Sequence, residues 1–197
     1  MTLRRIAVAG SAVLKKRAVE IPEITPEVRQ LAADMTETLQ AAGGLAIAAP
    51  QVGEPTRLVV VDRGYLNWDA LPDEERKDRG ASVFGPETLV NPEITSREGE
   101  DEIEEGCLSV PGYRAPVKRA RRITYRWTDL DGAEHERNAE GLEAICIQHE
   151  LDHLDGKLFI DRISRVKRTI ALGKVRKYIK ELDPEEDETA YRLYGES

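Results

Sequence analysis

Histidine and cysteine are scarce in this 197-residue chain: three of the first and two of the second. Cys107 and Cys146 lie too far apart to form a disulfide framework, and a thiol in a chain whose histidines cluster points to metal binding in a reducing, cytoplasmic setting. No apolar run approaches the roughly 20 residues that a membrane span needs, so no membrane partner is expected. A net charge of −8 argues against broad nucleic-acid binding by the whole surface, DNA included. No internal repeat and no linker break the chain, and its length fits one domain with room for a core. No acid precedes Glu20, and the cations Arg4, Arg5, Lys15, Lys16 and Arg17 give the start a transit-peptide flavour. Ile6, Val8, Val13 and Leu14 are better read as the first residues of the packed domain.

Against these absences stands one dense stretch, Gln148-His149-Glu150-Leu151-Asp152-His153. On a helix, positions i and i+4 share a face, so His149 and His153 can bind one metal ion. Glu150, beside the first ligand, is placed to take a proton from water there. The apolar approach over 142–147 and the stop at Asp155-Gly156 supply the helical context the pattern requires. The bland alternative is two polar residues on a solvated helix face.

Elsewhere Thr25-Pro26 opens a helix, with Val28, Leu31, Ala32, Met35 and Leu39 on its packed face and Gly43-Gly44 at its end. Residues 57–61 read as a β-branched strand, 62–86 as a long surface loop with a short helix near 73–77, and Leu89-Val90 and Ile94-Thr95 as short strands. The acids of 98–105 read as a solvated hairpin or loop. A strand starts at Val117, Ile123–Thr128 is another, and Glu134–Asn138 returns antiparallel after the turn at 130–132. Arg165–Leu182 forms a last helix. Strands come in runs and helices at the ends, so the fold class is α+β: antiparallel sheets packed around the central motif helix, with N-terminal and C-terminal helices. The expected organisation is a single metallohydrolase domain over 1–183 and an acidic, flexible tail over 184–197.

Two histidines are too few for a catalytic metal, which takes three protein ligands and a water. Cys107, Cys146, His135 and the acids are the candidates. From 146 to 153 a helix rises about 10 Å, whereas ligands of one ion converge within about 4 Å, so one straight helix cannot supply all three. Cys107 comes from another segment, after Gly106, and is preferred. Cys146 is then a buried residue lining the site, and His135 an exposed bystander.

Glu105-Gly106-Cys107-Leu108-Ser109, the His149 motif and the Gly44–Gln51 segment together resemble the three motifs of the peptide deformylase family, in the family's order, within a likeness covering about residues 5–180. The resemblance implies removal of the formyl group from N-formylmethionyl nascent peptides, with release of formate. It implies one divalent ion, Fe2+ in that family, with Zn2+, Ni2+ or Co2+ as substitutes, held by Cys107, His149 and His153. Glu150 would serve as base and then acid, and the Gln51 amide with the Leu108 backbone N–H as oxyanion donors. Leu45, Ile103, Leu142, Ile145 and Cys146 would line a methionine pocket, and Gly106 and Arg114 would contact the substrate backbone. Ala46 departs from the family pattern, which has Gly there, and adds a methyl group at the mouth of the site. From Arg162 to Lys180 eight basic residues run without an acid. They read either as a solvated face or, by likeness to deformylases that dock through this helix, as a ribosome contact over 162–180. A zinc peptidase, or a metal and peptide binder without turnover, are the rival functions.

Overall fold

The computed structural model describes residues 2–66, 85–182 and 193–194. Helix α1, Pro26–Ala42, begins where Thr25 Oγ1 accepts from the Val28 N–H and Pro26 fills the first turn, and it ends at Gly43 in the left-handed conformation. Strands β1 (Ala46–Ala48), β2 (Leu58–Asp62) and β3 (Pro86–Glu98) follow, with the single helical turn α2 (Arg63–Leu66) between the last two. Strands β4 (Asp101–Glu105) and β5 (Ala115–Arg119) flank a turn, and β6 (Arg122–Thr128) and β7 (Glu134–Glu140) form a hairpin. Helix α3, Gly141–Leu154, carries the histidine motif, and α4, Arg165–Lys180, follows. The order in the five-stranded antiparallel sheet is β1-β2-β3-β6-β7, and β4-β5 is a separate ribbon.

The pleat of β2 explains why the sheet is covered twice. Side chains alternate across a strand, so Val59 and Val61 pack towards Ala144, Ile147 and Leu151 of α3. Leu58 and Val60 pack towards Ala32, Met35 and Leu39 of α1. All five residues of β2 are buried, as a strand between two helices requires. A third cluster joins Leu14, Val110, Val117 and Phe159 to Ala171 and Val175 of α4. Each buried Leu, Met or Phe contributes about 1.5–3 kcal/mol, and Ala144, Cys146, Ile147, Leu151 and Leu154 hold α3 against the sheet. Gly156 closes it at positive φ, where a Cβ would lie 2.7 Å from the Lys15 carbonyl oxygen.

The α+β class and the central position of the motif helix agree with expectation. Several local readings change. Residues 86–98 form one strand rather than two, broken in pattern by bulges; Asn91 there has φ +51° and clasps both the N–H and the carbonyl of Ile21. The acidic 98–105 stretch, expected as a solvated hairpin or loop, contains β4, paired antiparallel with β5; Ile103 and Glu105 turn inward while the other acids face water. Ala46–Ala48 is a strand, and α4 ends at Lys180. The expected loop over 62–86 lies, apart from its ends, outside the described residues, and so does its helix near 73–77. Of the 184–197 tail only Leu193 and Tyr194 are described; Leu193 is buried and its carbonyl accepts from Ile6 N–H at 2.7 Å.

Candidate active site

One cavity of about 550 Å³ opens between β1, the end of β4, the turn after it and α3. Helix geometry sets its floor. His149 and His153 lie one turn apart, their ring centroids separated by 5.1 Å, and both are buried. Cys107 reaches them from the turn that leaves β4, closed by the Val110 N–H donating to the Cys107 carbonyl at 2.9 Å. Its Sγ lies 3.1 Å from His153 Nε2, and one ligand atom from each of Cys107, His149 and His153 falls within 4.8 Å of the others. This is a soft cysteine sulfur with two imidazoles, a set suited to a divalent transition metal with a further position left open.

The second nitrogen of each ring is treated differently. His149 Nδ1 lies 2.7 Å from Glu105 Oε2, which turns its other nitrogen towards Cys107. Burial works against a charged His149 ring, but the neighbouring Cys107 and Glu105 outweigh it and raise its pKa well above the ordinary histidine value. Burial, together with the charge on His149, pushes His153 well down and keeps it neutral. His153 Nδ1 is buried without a hydrogen-bond partner among the described residues. Glu105 is itself gripped by Arg119, whose Nε and Nη2 donate to its two oxygens at 2.6 and 2.9 Å.

Glu150 follows His149 and is 4% exposed; its Oε2 has no hydrogen-bond partner among the described residues. Burial raises its carboxyl to about 7, against the pull of His149 and Arg119, which is the range for a group that both takes and gives a proton near neutrality. Gln51 stands on the 3-10 turn Ala49–Val52, its Nε2 3.6 Å from Cys107 Sγ and 3.3 Å from Ser109 Oγ. Leu45, Ala46, Ile103, Gly106, Leu108, Arg114, Leu142, Ile145 and Cys146 all line the same cavity. Gly106 lies under the Arg114 side chain, whose Nη1 is 3.0 Å from where a Cβ would stand, so a larger residue would press that exposed arginine outward. His135 is apart from the site, exposed, with Nε2 2.6 Å from Asp129 Oδ2.

Sequence reasoning passed over Glu105, Arg119 and Asp152, although the first and last stand inside the motifs it quoted. Arg119 had one signal: Ala115, Val117 and Arg119 alternate with exposed positions on β5, so an arginine occupies a core slot.

The fold and this site define the class of a metal-dependent hydrolase. The profile of the family described as polypeptide deformylase matches residues 3–169. A peptide deformylase of Rhodopseudomonas palustris strain BisA53 is 43% identical over 181 residues, 91% of this chain and 94% of that protein. One from Bradyrhizobium diazoefficiens is 40% identical over 91% and 98% of the two chains. Among solved structures, a Legionella pneumophila peptide deformylase aligns with TM-score 0.80 at 37% identity, covering 91% of this chain and 96% of its own. The Ehrlichia chaffeensis enzyme in complex with actinonin aligns at 0.78 and 34%, covering 93% and 100%. The chain belongs to the peptide deformylase family, metal-dependent hydrolases that remove N-formyl groups.

Proposed function

We propose that the chain removes the formyl group from N-formylmethionyl nascent peptides, using Cys107, His149 and His153 to hold the metal and Glu150 to move the proton. The convergence of Cys107, His149 and His153 on one point, beside the cavity that Cys107, His149, Glu150 and the Gln51 amide line, carries this reading. A divalent cation bound there supplies a Lewis acid that lowers the pKa of a neighbouring water towards about 7. Glu150 takes the proton of the attacking water. Negative charge gathers on the formyl oxygen, and Gln51 Nε2 with the Leu108 N–H donate to it, each such donor being worth about 3–4 kcal/mol. Glu150 then gives the proton to the departing amine, leaving formate and a free N-terminus. Leu45, Ile103, Leu142, Ile145 and Cys146 form an apolar recess for the methionine side chain, while Gly106 and Arg114 flank the peptide backbone.

Fe2+ is the metal by likeness to the family; the donor set itself suits Zn2+, Ni2+ or Co2+ as well. The reading includes one domain over 1–183 and action in the cytoplasm on chains leaving the ribosome. Among the described residues no helix is long and apolar enough to cross a membrane. Contact with ribosomal RNA through 162–180 draws on fewer cations than the sequence offered. Arg162 pairs with Asp152, Arg168 with Asp161 and Lys177 with Glu181, and Lys174 sits over the Tyr113 ring. Among the described residues, Arg165, Lys167, Arg176 and Lys180 are the cations of that helix without an ion pair or ring partner.

Formate release from a formyl-Met peptide, compared between iron-loaded and zinc-loaded protein under anaerobic conditions, tests the activity. Cleavage of internal peptide bonds without formate would favour the zinc peptidase instead. Metal binding with neither reaction would favour the binder without turnover.

A further inference from the structure

The cluster of charges behind His149 extends one residue beyond those that stand near the cavity. Arg162 follows the 3-10 turn Phe159–Asp161 and precedes Ser164, the N-cap of α4. Its guanidinium closes on Asp152, Nε donating to Oδ2 and Nη2 to Oδ1, both at 2.6 Å. Asp152 Oδ2 also accepts from Arg119 Nη1 at 2.5 Å. The other arm of Arg119 is the two-pronged grip on Glu105, and Glu105 Oε2 is the oxygen that faces His149 Nδ1. The side chains of Arg119, Glu105 and Asp152 are 1%, 5% and 8% exposed; that of Arg162 is 41% exposed.

Two carboxylates and two guanidiniums make this set neutral. Without Arg162 it would carry a buried net negative charge, and Arg119 alone would serve both acids. In a poorly screened interior the freed Asp152 would compete with Glu105 for Arg119. Each step of Arg119 towards Asp152 loosens a prong on Glu105, the group that fixes the His149 ring through Nδ1. Partners of a ligating histidine set ring orientation and ligand strength.

We propose that Arg162 is a positioning residue of the metal centre, holding His149 in ligating orientation through Asp152, Arg119 and Glu105. The inference rests on the deformylase reading for the identity of the ligands. It assigns the start of α4 a second duty besides joining that helix to α3.

The test uses Co2+ as the probe, titrated into metal-free full-length protein against a competing chelator, with the cobalt absorption bands recorded. Arg162→Gln is expected to weaken Co2+ binding about tenfold and shift those bands, in line with other changes just outside a metal's ligands. Arg162→Lys should recover part of the affinity, since it restores the charge but not the fork. Arg162 and Glu105 do not touch, so combining Arg162→Gln with Glu105→Gln should cost clearly less than the product of the two fold-changes, as expected of groups acting in series. If Glu105→Gln does not fold, the Gln and Lys variants at 162 decide alone. A lower melting temperature with wild-type cobalt affinity and spectrum would reduce Arg162 to a tie between helices and overturn the proposal. So would independent effects in the double variant. Weakened cobalt binding in a protein that releases no formate would sink the deformylase reading and leave this relay standing.

Discussion

Gln51 Oε1 accepts a hydrogen bond from the Ala48 N–H at 2.8 Å, and that contact decides which end of the amide faces the cavity. With the oxygen held, Nε2 must point towards Cys107 and Ser109, where it is a donor. Gln51→Glu keeps the Ala48 bond and the size but presents an acceptor where charge develops. We expect kcat/KM for a formyl-Met peptide to fall about 10²–10³-fold with metal content unchanged. A loss under tenfold would show that the amide is structural.

Glu150→Gln separates proton transfer from metal binding. The three ligands stay, the side chain keeps its volume, and the buried Oε2 becomes or faces an amide that cannot take a proton. Turnover should drop by at least about 10²-fold, while metal analysis reads the same as wild type. Near-normal formate release from the metal-loaded variant would remove Glu150 from the reaction.

How much of this was legible in the sequence follows from the range of the interactions. Helices α1 and α3 announce themselves because caps and i, i+4 spacing are local, and the two histidines with Glu150 come with α3. Residues 86–98 hid as two fragments because the Asn91 bulge breaks the alternation that marks a strand. Arg119 showed only its inward place in the alternation of β5, and not its role, because its partners Glu105 and Asp152 lie 14 and 33 positions away and only the fold brings them together. The same blindness left the 162–180 run open between a solvated face and a ribosome contact: Asp152 and Asp161 reach it through space.

The two thiols should part company on metal analysis. Cys107 Sγ is one of the three convergent ligand atoms and accepts from the Ser109 N–H at 3.4 Å, whereas Cys146 is a buried cavity wall whose thiol burial pushes well up. Cys107→Ala should lose bound metal. Cys146→Ala should retain it and lower affinity for methionine-sized side chains at the reacting residue, by roughly the 10–200-fold range of a small pocket change. The reverse pattern would mean that the geometry names the wrong thiol.

Ala46 stands where the resemblance to the family leads one to expect glycine. It is the first residue of β1, paired with Val61, and 7% exposed. Its φ is not in the left-handed region, so the backbone does not demand glycine there. The methyl group belongs to the cluster packed on α3 and also forms part of the cavity wall. Ala46→Gly therefore does two opposed things. It loosens a buried strand, at about 0.5–1 kcal/mol for the backbone and about 0.8 kcal/mol for the lost carbon, a fall of several degrees in melting temperature. It also widens the entrance, and we expect kcat/KM for formyl-Met peptides to rise, by up to about tenfold for one carbon's worth of room. Metal content should not change, because no ligand contacts are touched. A melting temperature that falls while kcat/KM stays level or drops would show that the cavity has already adapted around alanine, and would take Ala46 out of substrate fit.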